Sequence, residues 1–202
     1  MLNLPVPAKS VAKKSTHERL IEAARVEFGM RGIEAATTRA IAKRAGCNEV
    51  TLFRHFESKQ KLLTMVVQST SEDFEDLCAC RGDFTGDLIE DLTRFATVYT
   101  DSFERCEGMA RAMIAASQRR PTLAKELIGD VICPFHQSIE HYLDEAKQQG
   151  KVKPGTPSRA IAEILTAALM GGVLRRSSSL SDIDRATWIR ETVRALAQGI
   201  QA

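Results

Sequence analysis

A chain of 202 residues, 44% of them hydrophobic, is long enough to bury a sizeable core as one body or two small ones. Aromatics are only 5%, alternating β-branched runs are absent, and Ala, Leu, Glu, Arg and Lys dominate, which argues against strands and for an all-α fold. The net charge of +2 hides an asymmetry: residues 1–64 carry +6 and the remainder −4, so the N-terminal third is suited to a polyanion.

Residues 1–14 hold Pro5, Pro7, Lys9, Lys13 and Lys14 and read as a flexible basic arm. That stretch lacks the apolar centre of a secretory signal. The most apolar run, 160–174, is interrupted by Glu163 and is too short to cross a bilayer. A cytoplasmic protein with no membrane partner is expected. A first helix starts at Ser15 or Thr16, with Leu20, Ala24 and Phe28 on one face, and Gly32 closes it. Thr37 or Thr38 caps a second helix carrying Ile41, Ala42 and Ala45, and Gly46 stops it. A third short helix carries Val50, Leu52, Phe53 and Phe56. Ser58 caps a fourth that runs to about residue 80 as a connector.

Beyond residue 82 the predicted helices lengthen. One spans 87–104, with Leu92, Phe95, Tyr99 and Phe103 at helical spacing. Gly108 is expected to break the chain before a short helix bearing Met109, Met113 and Ile114. Pro121 suits the first position of a long helix to about residue 149, in which Pro134 should cause a kink. After a proline-containing loop at 151–158, a helix runs from Ser158 to Arg175, apolar nearly all round. A final one covers 184–200. The total is about nine helices.

Two helices joined by a glycine turn form a helix-turn-helix, whose second helix is suited to a major groove. The rest of its surface bears groups suited to DNA. Thr37 and Thr38 offer hydroxyls to phosphate. Arg39 can reach a guanine edge, and Glu49 can accept from a cytosine amino group. Val50 or Thr51 can touch a thymine methyl, and Arg54, His55 and Lys59 suit phosphates. Asn48 can cap the third helix.

The pattern made by Thr37, Thr38, Ile41, Ala42, Ala45, Gly46, Thr51, Leu52, Phe53, His55, Phe56, Lys59 and Leu62 resembles that of the TetR-family transcriptional regulators. Ala23, Ala24, Phe28 and Gly32 match as well, so the likeness covers residues 16–63. It implies a DNA-facing set of Thr37, Thr38, Arg39, Asn48, Glu49, Val50, Thr51, Phe53, Arg54, His55 and Lys59. Three positions depart from the pattern. Cys47 stands where Val is usual and Asn48 where Ser is frequent. Phe53 replaces a common Tyr, which removes a hydroxyl but keeps a stacking surface.

The division implied is a basic arm at 1–14, a DNA-binding head at 15–63, and a ligand-binding and dimerisation domain at 64–202. The resemblance also implies repression, an inverted-repeat operator on double-stranded DNA, a homodimer and a small-molecule effector. Ile161, Leu165, Ala168 and Gly172, with Ile189, Val193, Leu196 and Ile200, are the expected intersubunit face. The opposite face of that helix bears Ile164, Ala167, Gly171 and Leu174 and should meet the core. A lipophilic pocket is expected from Leu92, Phe95, Tyr99, Phe103, Met109, Met113, Phe135, His136, Ile139, Tyr142, Leu165, Thr166 and Leu169, with Gln137 as a further polar contact. An effector there would shift the fourth helix and change the separation of the two heads.

No nucleophile elbow, phosphate loop or zinc-protease motif occurs, so no catalytic residues, cofactor or metal are assigned. Two other readings remain. Cys78 and Cys80 could make a redox- or metal-responsive regulator, and the chain could be an architectural DNA-binding protein without a signal.

Overall fold

The structure, a computed structural model, describes residues 14–78, 84–119 and 121–202, with the side chains of 70–78 and 123–134 outside that description. The basic arm therefore lies outside the described residues, apart from Lys14. Eight α-helices are found among the described residues: α1 (Thr16–Ala35), α2 (Thr38–Arg44), α3 (Glu49–Phe56), α4 (Lys59–Cys78), α5 (Leu88–Ser117), α6 (Pro121–Gln148), α7 (Ser158–Ser177) and α8 (Arg185–Ile200).

Local chemistry sets the boundaries. Ser15 accepts from the Glu18 N–H while the Glu18 carboxylate accepts from the Ser15 N–H, a reciprocal cap that starts α1. Gly32 takes φ +80° and bends α1 out of helical geometry, so the helix proper stops there as the sequence predicts. Asp87 and Asp184 cap α5 and α8 by accepting from the N–H three residues on.

The sequence misleads at Gly108. It was expected to separate two helices, but α5 runs through it for 30 residues, and this is why eight helices stand where nine were predicted. The reason is tertiary. Gly108 meets Gly29 of α1 backbone to backbone: a Cβ on Gly29 would lie 3.1 Å from the Gly108 carbonyl carbon. The flexibility of glycine is removed by packing, and its missing side chain is what lets the two helices cross closely. The kink expected at Pro134 falls on residues whose side chains are not described.

Two apolar clusters form the core. The larger joins α5, α6, α7 and α8 through Leu92, Phe95, Phe135, Ile139, Leu143, Leu165, Leu169 and Val193. The smaller fills the head with Leu20, Phe28, Ile41, Leu52, Phe56, Leu62 and Val66, and it takes Met109, Ala112 and Met113 from α5. The head is therefore seated on the second half of α5. Among the described residues no helix is long and apolar enough to cross a membrane.

Candidate nucleic-acid interface

Ile41, Ala42 and Ala45 of α2 and Leu52 and Phe56 of α3 are buried against α1 and α4. Gly46 turns between α2 and α3 at φ +70°, a conformation that costs a glycine nothing. One apolar stripe thus holds the pair, and the remaining faces point outward. On that outer side two apolar residues are exposed: Val50 is 75% accessible and Phe53 is 43% accessible. On the same two helices Arg39, Lys43 and Arg54 are exposed and pair with no carboxylate among the described residues. A surface that exposes apolar side chains and cations together can meet both thymine methyls and phosphates.

The other expected residues are placed as follows. The Thr37 hydroxyl oxygen accepts from the Ala40 N–H. Asn48 Oδ1 accepts at 2.8 Å from both the N–H and the hydroxyl of Thr51, so it caps α3 and occupies the Thr51 proton. The Thr38 hydroxyl donates to the Glu49 carboxylate. His55 lies exposed, edge-on to His17 at 6.0 Å between ring centres, while His17 stacks on Phe56 at 4.8 Å. The Lys59 ammonium donates to the Glu34 carbonyl at 3.0 Å, tying the start of α4 to the end of α1. Arg39, Asn48 and Glu49 line one open groove of about 710 Å³ together with Ala42, Lys43, Gly46 and Cys47. Lys43 was not in the predicted set. Its signal was available, because it lies one helical turn beyond Arg39 on the exposed side of α2.

A second group missed from sequence is Glu27. It is buried on the apolar face of α1 and pairs with Arg44 of α2 at 2.8 Å and with Arg31 at 2.9 Å. The pair to Arg44 fixes how α2 lies on α1 and so how the reading surface is presented. A carboxylate interrupting the stripe of Ala23, Ala24 and Phe28 was the clue.

In the body, most of the expected pocket residues come together. Leu92, Phe95, Tyr99, Phe103, Phe135, Ile139, Tyr142, Leu165 and Leu169 share one buried cluster. Their rings touch, with Tyr99 stacked on Phe135 at 5.1 Å and Phe95 edge-on to Phe135 at 6.1 Å. Met109 and Met113 do not join them; past Gly108 the same helical stripe faces the head, and both pack there. Gln137 points to solvent. His136 Nε2 and the Thr166 hydroxyl lie 2.8 Å apart between α6 and α7, and burial lowers the His136 pKa. Tyr142 donates to Asp91 at 2.8 Å, and burial, then that bond, push its hydroxyl far above the usual phenol range. Burial raises Tyr99 in the same direction. Asp91, also missed from sequence, is buried and accepts in addition from the Thr85 N–H, the Thr85 hydroxyl and the Gly86 N–H.

The residues of the expected intersubunit face differ in exposure. Leu165, Gly172, Ile189, Val193 and Ile200 are buried within the chain itself, and Ile161, Ala168 and Leu196 are half-buried. Gly172 makes room for Trp188 of α8: a Cβ there would lie within 2.7 Å of three indole atoms, and the indole N–H donates to the Ala168 carbonyl at 2.9 Å. The opposite side of α7 is the open one. Ile164 is 51% accessible, Ala167 is exposed, and nothing lies within 4 Å of a Cβ built on Gly171. Cys80 and the Cys78 side chain lie outside the described residues, and no metal-binding group of three or more His, Cys, Asp or Glu occurs among those described.

Comparison with known proteins agrees with this geometry. The HTH-type transcriptional regulator YvkB of Bacillus subtilis is 25% identical over 167 residues, covering 81% of this chain and 84% of that one. The nucleoid occlusion factor SlmA of Vibrio campbellii is 24% identical over 173 residues, covering 80% and 81%. The fatty acid degradation regulator FadR of Bacillus halodurans superposes with a TM-score of 0.74 at 18% identity, over 92% of this chain and 96% of that one. Residues 20–66 match the profile of bacterial regulatory proteins of the tetR family, and residues 82–196 match the tetracyclin repressor-like C-terminal domain. With both halves matched, the chain belongs to the TetR family and is a DNA-binding transcriptional regulator.

Proposed function

We propose that the protein is a repressor that binds an inverted-repeat operator as a homodimer and leaves it when a lipophilic effector enters the body. The observation that carries the reading is the outer surface of α2 and α3, which exposes Val50 and Phe53 together with Arg39, Lys43 and Arg54, cations that pair with no carboxylate among the described residues. A head this small covers one half-site, and a two-fold partner supplies the second. The open side of α7, with Ile164, Ala167 and Gly171, supports a self-complementary contact in which the missing side chains allow close approach.

The effector reading rests on the buried apolar cluster of Leu92, Phe95, Tyr99, Phe103, Phe135, Ile139, Leu165 and Leu169. Tyr142, whose hydroxyl is held by Asp91, closes one side, and the His136–Thr166 pair supplies polarity between α6 and α7. A lipophilic guest fits such a lining, and a fatty acid regulator is among the proteins of similar fold. Entry of the guest parts α5 from α6 and α7. That motion reaches the head through α4 and through the Gly29–Gly108 crossing of α1 on α5.

Titration of long-chain fatty acids into the protein–operator complex, read by fluorescence anisotropy, tests this. Oleate should weaken operator binding at the concentrations where it binds the free protein. Bound fatty acid with unchanged DNA affinity refutes the coupling. Sedimentation equilibrium of Ile164→Glu tests the dimer, with a shift to monomer expected.

A further inference from the structure

The geometry points to Thr38 as a positioning residue for Glu49, and to Glu49 as the group that selects a base bearing an exocyclic amino group in each half-site. The inference rests on the DNA-reading function just proposed. Thr38 is the first residue of α2 and Glu49 the first of α3, and the Gly46 turn brings them together across 11 positions of sequence. The Thr38 hydroxyl has one proton, and it goes to Glu49 Oε1. It cannot serve a phosphate at the same time, so the phosphate role expected for Thr38 gives way to a role inside the protein.

What this bond fixes is the direction of the carboxylate. Glu49 is half-buried and lines the open groove with Arg39, Lys43 and Asn48, yet neither cation pairs with it among the described residues. Its second oxygen, Oε2, has no hydrogen-bond partner there. An ionised carboxylate only accepts. On the major-groove edge the donors are the amino groups of cytosine and adenine, whereas guanine N7 and O6 and thymine O4 are acceptors that would face it unfavourably. The carboxylate also repels phosphate, so it weakens sequence-independent binding in a surface otherwise built of cations. Glu49 therefore reads by exclusion as much as by attraction, and Thr38 keeps it in the reading direction.

Selection of the full-length protein against a random duplex library tests the pair, with thermal melts to confirm folding of each variant. The unsubstituted protein should show cytosine or adenine at one symmetric pair of positions. Glu49→Ala should reduce that preference about tenfold and raise affinity for unrelated duplex. Thr38→Val should relax the same pair and no other, and Thr38→Ser should restore it. If Thr38→Val weakens all sequences alike with the preference intact, Thr38 is a phosphate donor and the inference fails. An unchanged consensus with Glu49→Ala also overturns it. No consensus from the unsubstituted protein would instead remove the DNA-reading function on which the inference stands.

Discussion

Replacing Gly172 by alanine tests how the last two helices are held. In an exposed helix the change would stabilise by about 1 kcal/mol, because alanine loses less backbone freedom. Here the new methyl would overlap the Trp188 indole, which is pinned by its hydrogen bond to the Ala168 carbonyl. An indole cannot yield as the end of a lysine can. It must rotate away, losing a bond of about 1 kcal/mol, or α8 must move off α7 at an overpacking cost of about 1–3 kcal/mol. Set against the gain of about 1 kcal/mol, the balance is a net loss of up to about 2 kcal/mol, which for a chain of this size lowers Tm by up to about 8 °C. The chain has one tryptophan, so intrinsic emission reports on this site alone. At equal protein concentration, Gly172→Ala should melt earlier and emit further to the red. In a Trp188→Leu background the same change should cost far less, which a double-mutant cycle reads as coupling. An unchanged or raised Tm with unchanged emission would refute the packing of Trp188 against Gly172.

Glu27→Gln should destabilise the head by about 1–3 kcal/mol, less than a fully buried ion pair because Arg31 and Arg44 keep access to water. A lowered urea midpoint together with weakened DNA binding is expected, and an unaltered midpoint counts against the anchor. Asp91→Asn leaves one carbonyl oxygen for four donors and should cost about 2–4 kcal/mol, seen as earlier thermal unfolding. Burial lowers the His136 pKa, so the folded state resists protonation that the unfolded chain accepts. Stability should be full above the ordinary histidine value of 6.5 and fall as pH drops below it. His136→Gln should remove that part of the decline, and melts at pH values on both sides of 6.5 check this.

The head was legible in sequence because its residues are constrained twice, by local caps and by the small core that locks its helices. Ser15, Asn48, Gly46 and Ser58 each have a job that only a few residue types perform. The body was less legible, and the reasons are particular. At Gly108 a residue that breaks isolated helices is held in one by the backbone of Gly29, a contact 79 positions distant that periodicity cannot see. The stripe from Phe95 to Met113 reads as continuous, but α5 passes from the body into the head, so its two ends face different cores. For α7, apolar on both sides, pattern alone could not say which side meets its own chain. Trp188 settles it by filling the space over Gly172. The Thr38–Glu49 bond has no helical or strand spacing, since a turn creates it.

The most direct test of a dimeric sequence reader is selection of the purified protein against random duplex DNA at moderate salt, with Arg39→Ala alongside. An inverted repeat should emerge, and the variant should lose preference at one symmetric pair of positions while keeping the rest, at a cost of about 1–3 kcal/mol at that pair. Binding that yields no repeat and vanishes as salt rises would contradict the account and leave only attraction to phosphates.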